Sequence, residues 1–260
     1  MAKPAAADTV DPISSAASAA KLVVPLGRGA RGKTWWVRWA VERAQSQGRE
    51  VVVADADRTN ATLSSYFAGV ASPPSADDRD VREWLAAFIE QQIDQKFTAV
   101  LDLGGGDLVL KRVAREIGLV GFLTQYGIHP VAVHLIGPDP DDLAYLRDVE
   151  TDGVFAPEAT ILVLNEALVP IHRTPRAAFE QTVQAHPILA QTIERGARLV
   201  WMPRLEPAGE VDSRRLTFAA AEASRVKSGQ APIGPWRRQQ IAAWRRAMEE
   251  AFAPVADWLP

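Results

Sequence analysis

Gly27-Arg28-Gly29-Ala30-Arg31-Gly32-Lys33-Thr34, the stretch GRGARGKT, decides how this chain is read. It fits G-x-x-x-x-G-K-[S/T] at every fixed position. An apolar run, Leu22–Leu26, precedes it. An amphipathic stretch, Lys33–Ser46, follows and is ended by Gly48. Strand, glycine loop and helix in that order make an anion site. Glycine permits the backbone conformations that turn successive N–H groups toward one anion, and the helix start adds the positive end of its dipole. On this reading Gly27, Gly29, Ala30, Arg31 and Gly32 form a phosphate cradle. Lys33 reaches the β- and γ-phosphates of a nucleotide, and the Thr34 hydroxyl binds Mg²⁺.

Outward from the loop, apolar runs alternate with amphipathic stretches. Glu50–Ala54 (EVVVA), Thr98–Leu103, Val131–Ile136, Thr160–Leu164 and Arg198–Met202 read as strands. Helices are predicted at Val81–Gln95, with Val81, Leu85, Phe88, Ile89 and Ile93 on one face, and at Leu108–Ile117. Others are predicted after Pro138 and Asp139, over Pro175–Arg195, over Leu216–Lys227 and over Pro235–Phe252. Nearly continuous apolar strands alternating with helices predict an α/β fold of three layers, a mainly parallel twisted sheet with helices on both faces. Residues 1–20, rich in Ala, Ser, Asp and Pro, read as a disordered tail, and residues 21–260 as a single domain. Pro73–Pro74 and Gly229–Gly234 read as loops.

Ligands of open α/β sheets bind beyond the carboxyl ends of the strands. Asp55 and Asp57 lie at the end of EVVVA, and Asp102 at the end of TAVLD. Each is suited to hold Mg²⁺ or its water, or to orient an attacking water. The expected metal set is Thr34, Asp55 and Asp102. The expected catalytic set is Lys33, Asp57 and Asp102, joined below by Arg28.

Composition narrows the field. The chain has 260 residues, 47% hydrophobic, with a formal charge of -3. From Arg195 onward Arg and Lys outnumber Asp and Glu by eleven to seven. That excess points weakly to nucleic acid or anionic lipid, against the plainer reading of a solvated helix face. There is no Cys, and the four histidines show no ligand spacing, so thiolate and zinc sites are not expected. No apolar run approaches the ~20 residues of a membrane span, and the N-terminus lacks the features of a signal peptide. The final helix reads as packed on the domain through Trp236, Ile241, Trp244, Met248 and Phe252, its arginines solvated. Trp35, Trp36 and Trp39 read as packing the first helix. Asp77-Asp78 and Asp141-Asp142 read as caps and solvated charge.

The motifs GRGARGKT, VVVADADRTN and VLDLGGG resemble those of the ParA/MinD family of deviant Walker ATPases. Asp55-Ala56-Asp57 is similar to that family's D-x-D strand end. Asn165 in ILVLNEA and Pro203 in LVWMPRLEP match its adenine pocket. DADRTNATLSSY and RRLTFAAAEA resemble the conjugal-transfer ATPases of the TraL/MobD type. The family's signature lysine lies five positions before the loop lysine. Arg28 stands there, keeping the charge as a planar fork. Arg58 stands where many relatives have Pro.

The resemblance implies a cytoplasmic ATPase that uses ATP and Mg²⁺ and dimerises across ATP, with Arg28 touching the partner's phosphates. It implies work in plasmid partition or conjugal transfer, with DNA or proteins of those systems as partners. Membrane association is not expected. A metabolic P-loop enzyme, such as a small-molecule kinase or an amide-forming synthetase, is the rival reading. A nucleotide-binding module without turnover is the third.

Overall fold

Neighbouring residues of a strand face opposite ways, and both faces of these strands are apolar. Leu22 and Val24 in the first strand pack into one apolar layer, and Val23 between them packs into the other. Strands of this kind need cover on both sides, and the computed structural model shows that cover. It describes residues 19–57, 62–104, 108–180, 183 and 186–260.

Six strands form one sheet: β1 (Lys21–Leu26), β2 (Val52–Ala56), β3 (Ala99–Leu103), β4 (His129–Ile136), β5 (Ala159–Asn165) and β6 (Arg198–Met202). Their spatial order is β2-β3-β1-β4-β5-β6, and every pairing is parallel. On one face lie α1 (Lys33–Ser46) and the long last helix, packing Trp36, Val37 and Val41 beside Ile241, Met248 and Phe252. On the other face lie α2 (Asp78–Gln95), α3 (Leu108–Ile117), α4 (Leu119–Gln125) and α5 (Pro140–Thr151). With them are α6 (Pro175–Phe179) and α7 (Pro187–Glu194). The chain then runs through α8 (Ala208–Ser213) and α9 (Phe218–Glu222) into α10 (Pro235–Phe252). The expected three-layer α/β architecture is the one observed.

Several element limits differ from those predicted. β2 runs two residues further than EVVVA and takes in Asp55, which pairs in register with Asp102 of β3. Asp55 is therefore a buried strand residue, and only Asp57 lies beyond the strand end. The stretch read as one helix over Pro175–Arg195 contains α6 and α7 as separate helices. His186 caps α7 through its side chain and Pro187 occupies the first turn, where a missing N–H costs nothing. Helix over Leu216–Lys227 shrinks to the five residues of α9, capped by Thr217. Trp236 does not join the buried face of α10; it is 75% exposed, while Ile241, Trp244, Met248 and Phe252 are buried. The expectations for residues 1–18, Arg58, Asn60 and Gly105-Gly106 lie outside the described residues.

Candidate phosphate-binding site

β1 stops at Leu26, and the loop turns immediately beside the carboxyl end of β4. Gly27 has φ +141, and a Cβ there would lie 2.7 Å from the Leu135 carbonyl oxygen, so no other residue fits without a shift. Gly32 is constrained by its backbone, with φ +92, and a notional Cβ there would press on the Asn165 side chain, 2.7 Å from Nδ2. Ala30 also adopts a left-handed conformation, at φ +59, which costs an alanine roughly 1–2 kcal/mol. The surroundings must therefore hold the loop in shape.

The Lys33 ammonium lies back over the loop, donating to the Gly27 carbonyl at 3.1 Å and the Arg28 carbonyl at 3.2 Å. Burial lowers its pKa, and Asp102 and Asp57 oppose that shift. The cation and both carboxylates thus share one electrostatic neighbourhood. Thr34, in the first turn of α1, donates its hydroxyl to Asp102 Oδ2 at 2.8 Å. The other oxygen, Oδ1, is buried and has no hydrogen-bond partner among the described residues. Burial pushes the Asp102 carboxyl up to about 7, against the Thr34 hydrogen bond and the Lys33 charge. An orphaned, desolvated carboxylate oxygen beside a threonine hydroxyl fits a hard cation with oxygen ligands.

Asp55 is used differently. Its Oδ1 accepts from the Asp57 N–H at 3.1 Å, and its Oδ2 accepts from the Leu63 N–H at 3.1 Å. The carboxylate pins both ends of the segment after β2. Asp57 lies beside Gly104 at the end of β3, where a Cβ would be 3.2 Å from its Oδ1.

Asn165 closes the far side of the loop. It is buried at the end of β5, donates Nδ2 to the Arg31 carbonyl at 3.0 Å and accepts from Ala167 N–H at 3.0 Å. Pro203 follows Met202, the in-register partner of Asn165. The Pro203 carbonyl accepts from the Trp244 indole at 2.9 Å, tying this corner to α10.

The structure thus gathers Lys33, Thr34, Asp55, Asp57 and Asp102 at the carboxyl ends of β1, β2 and β3, with Asn165 against the loop. Arg28 and Arg31 point the other way, toward the start of α5. Arg28 pairs with Asp139 at 3.1 Å and Asp141 at 3.2 Å, and approaches Asp142 at 3.5 Å. Arg31 pairs with Asp142 at 2.7 Å and Asp139 at 3.0 Å. This corrects the reading of Asp142, though not of Asp141, as solvated charge. Asp141 is 72% exposed, but the Asp142 side chain is 1% exposed and also accepts from the Gly137 N–H at 2.8 Å. The one available signal was the surplus of arginine in the loop, which needs acidic partners once packed.

A six-stranded parallel sheet covered on both faces, with GRGARGKT between β1 and α1, defines the P-loop nucleoside-triphosphatase fold class. Neither a family model nor a curated protein matches the chain. Solved structures do resemble it. The MinC:MinD cell division complex of Aquifex aeolicus covers 89% of this chain and 96% of its own, at 12% identity and TM-score 0.46. A GTPase from Pyrococcus abyssi covers 70% and 90%, at 14% identity and TM-score 0.41. The signal recognition particle receptor FtsY of Elizabethkingia anophelis with GDP covers 76% of this chain, which spans 60% of the FtsY chain, at 14% identity and TM-score 0.41. Likenesses this distant say nothing of substrate or partner. The fold class stands on the sheet order and the loop.

Proposed function

We propose that the chain binds and hydrolyses ATP, and that two copies meet across the nucleotide as a switch serving plasmid partition or conjugal transfer. The observation that carries nucleotide binding is the loop itself. Lys33, Thr34 and Asp102 converge at its mouth, the Leu135 carbonyl leaves no room for a Cβ at Gly27, and Asn165 donates to the Arg31 carbonyl. The ParA/MinD resemblance supplies the ATP and dimer parts of the proposal.

In this reading the loop N–H groups and the start of α1 take the β-phosphate. A γ-phosphate draws the Lys33 ammonium away from the Gly27 and Arg28 carbonyls. Thr34 and Asp102 would hold Mg²⁺, which neutralises phosphate charge when bound. Asp57 accepts a hydrogen bond from the water aligned with the γ-phosphorus. The water oxygen forms the new bond to the γ-phosphorus, the bond from that phosphorus to the β-phosphate oxygen breaks, the water proton passes to the phosphate oxygens, and ADP and inorganic phosphate leave. Such chemistry needs positioning and electrostatics more than covalent participation. Asn165 retains one donor and one acceptor position after its two bonds, enough for an adenine edge.

Phosphate release from ATP and Mg²⁺ tests the proposal. Wild type should turn over, Lys33→Ala should not, and Asp57→Ala should retain ATP binding while losing at least ~100-fold in turnover. A wild type that binds ATP without releasing phosphate contradicts the hydrolysis claim. An Asp57→Ala variant as active as wild type removes that residue from the chemistry.

A further inference from the structure

We propose that Asp142 is a positioning residue of the phosphate loop and acts on it through Arg31. This rests on the nucleotide-binding reading above and adds to it the part that holds the loop in shape.

Arg31 sits between the two left-handed residues Ala30 and Gly32, at the point where the loop is least able to hold itself. It is gripped from two sides. Its carbonyl accepts from Asn165 at the end of β5. Its guanidinium donates Nε to Asp142 Oδ1 at 2.7 Å and a terminal N–H to Asp139 Oδ2 at 3.0 Å. Asp142 is itself fixed, because its second oxygen accepts from Gly137 N–H directly after β4. At Gly137 a Cβ would meet Leu168 Cδ1 at 2.9 Å and Asp142 Oδ2 at 3.0 Å, so a larger residue would have to displace the Asp142 or Leu168 side chain. One loop residue is thereby tied to β5 through its backbone and to the β4–α5 junction through its side chain.

Arg28 shares the acidic cluster but not this burial. Its side chain is 36% exposed and its nearest partners, Asp139 and Asp141, are 41% and 72% exposed. The Arg31 and Asp142 side chains are 18% and 1% exposed. Solvent screens the Arg28 pairs, whereas the Arg31–Asp142 pair is largely out of water, and breaking it takes from a buried carboxylate its nearest cation. The two arginines are therefore different in kind. Arg31 is an anchor, and Arg28 is the one able to exchange its carboxylates for another anion.

Positioning and simple charge compensation predict opposite signs. If Asp142 only neutralised Arg31, its loss would make the loop more positive and tighten binding of an anionic nucleotide. If it positions the loop, its loss weakens binding. The experiment is titration of a fluorescent ATP analogue with Mg²⁺ into wild type, Asp142→Asn, Arg31→Met and the double variant, with circular dichroism to establish folding. The amide side chain of Asp142→Asn can still accept from Gly137 but offers Arg31 no carboxylate. Each single variant should bind roughly 10- to 100-fold more weakly, the range of a lost charge-assisted hydrogen bond. The double variant should be no weaker than the worse single, because Asp142 acts through Arg31.

If Asp142→Asn does not fold, Arg31→Lys takes its place; it keeps the charge, loses the fork and should also bind more weakly. Wild-type affinity in these variants, tighter binding by Asp142→Asn, or additive losses in the double variant overturn the inference alone. A folded wild type that fails to bind the analogue removes the nucleotide reading and this inference with it.

Discussion

Asp102 sits in a setting far from its ordinary one. Burial, opposed by Thr34 and Lys33, lifts its carboxyl from 3.8 to about 7. Between those two values the folded chain keeps a proton that the unfolded chain has released, so this group's contribution to stability falls as pH rises through the window. Below the unfolded value it imposes no penalty, and above about 7 the penalty is complete. Asp102→Asn, read by thermal unfolding without nucleotide, should therefore flatten the decline in Tm across that window. An unchanged pH profile would mean that Asp102 is ionised in the folded chain throughout. Base choice is also a residue-scale matter. With one donor and one acceptor left on Asn165, ATP should compete more strongly than GTP for the site, and equal competition would reject an adenine-reading role. That Lys33, Thr34 and Asp102 lie near one another was legible in the sequence, since a fixed spacing and a strand-end carboxylate single them out as one candidate site. Asp142 was not. Its meaning depends on Arg31, more than a hundred residues earlier, and no local pattern joins the two.

At the scale of elements, β4 carries an internal cost. His134 lies mid-strand between Leu26 and Leu162, fully buried, and neither ring nitrogen has a hydrogen-bond partner among the described residues. Burial, with Arg195 adding to it, lowers its pKa from 6.5 to about 3. The folded chain keeps this ring neutral where the unfolded chain protonates it. Its contribution is therefore present above the unfolded value and is lost as pH falls toward the folded one. His134→Leu should raise stability by roughly 1 kcal/mol near neutral pH and flatten the acid limb of a Tm profile, because two unsatisfied nitrogens disappear. Destabilisation would mean that the ring has partners of its own. Element boundaries were legible where period and punctuation agree, as at α1, α3, β6 and α10. They failed where a polar residue is buried inside a strand, as Asp55 is in β2. They failed again at Pro187, which opens a helix inside a stretch whose apolar spacing reads as continuous.

At the scale of the molecule, the C-terminal segment returns to the start of the sheet. Lys21 Nζ donates to the Leu259 carbonyl at 2.7 Å, and Arg49 donates to the Pro260 carbonyl at 2.9 Å. The basic surplus of this segment is largely spent at home. Arg237 approaches Glu210 at 3.5 Å, Arg238 donates to the Glu222 carbonyl, and Arg245 pairs with the Glu222 side chain. Replacing Arg237, Arg238, Arg245 and Arg246 with Ala should consequently leave the salt dependence of any DNA binding by the ATP-loaded protein little changed. A marked flattening of the slope would assign those arginines to phosphate contacts. Among the described residues no helix is long and apolar enough to cross a membrane. Assembly tests Arg28. Sedimentation with ATP and Mg²⁺ should show Asp57→Ala accumulating dimer and Arg28→Ala remaining monomeric while still binding ATP; an Arg28→Ala variant that dimerises and turns over like wild type leaves Arg28 an ordinary loop residue. Beneath all of these stands the phosphate loop, and calorimetric titration of ATP into wild type and Lys33→Ala, with circular dichroism on both, tests it most directly. The account predicts saturable binding by wild type and loss of most affinity in a folded Lys33→Ala. Undiminished affinity in that folded variant would contradict it.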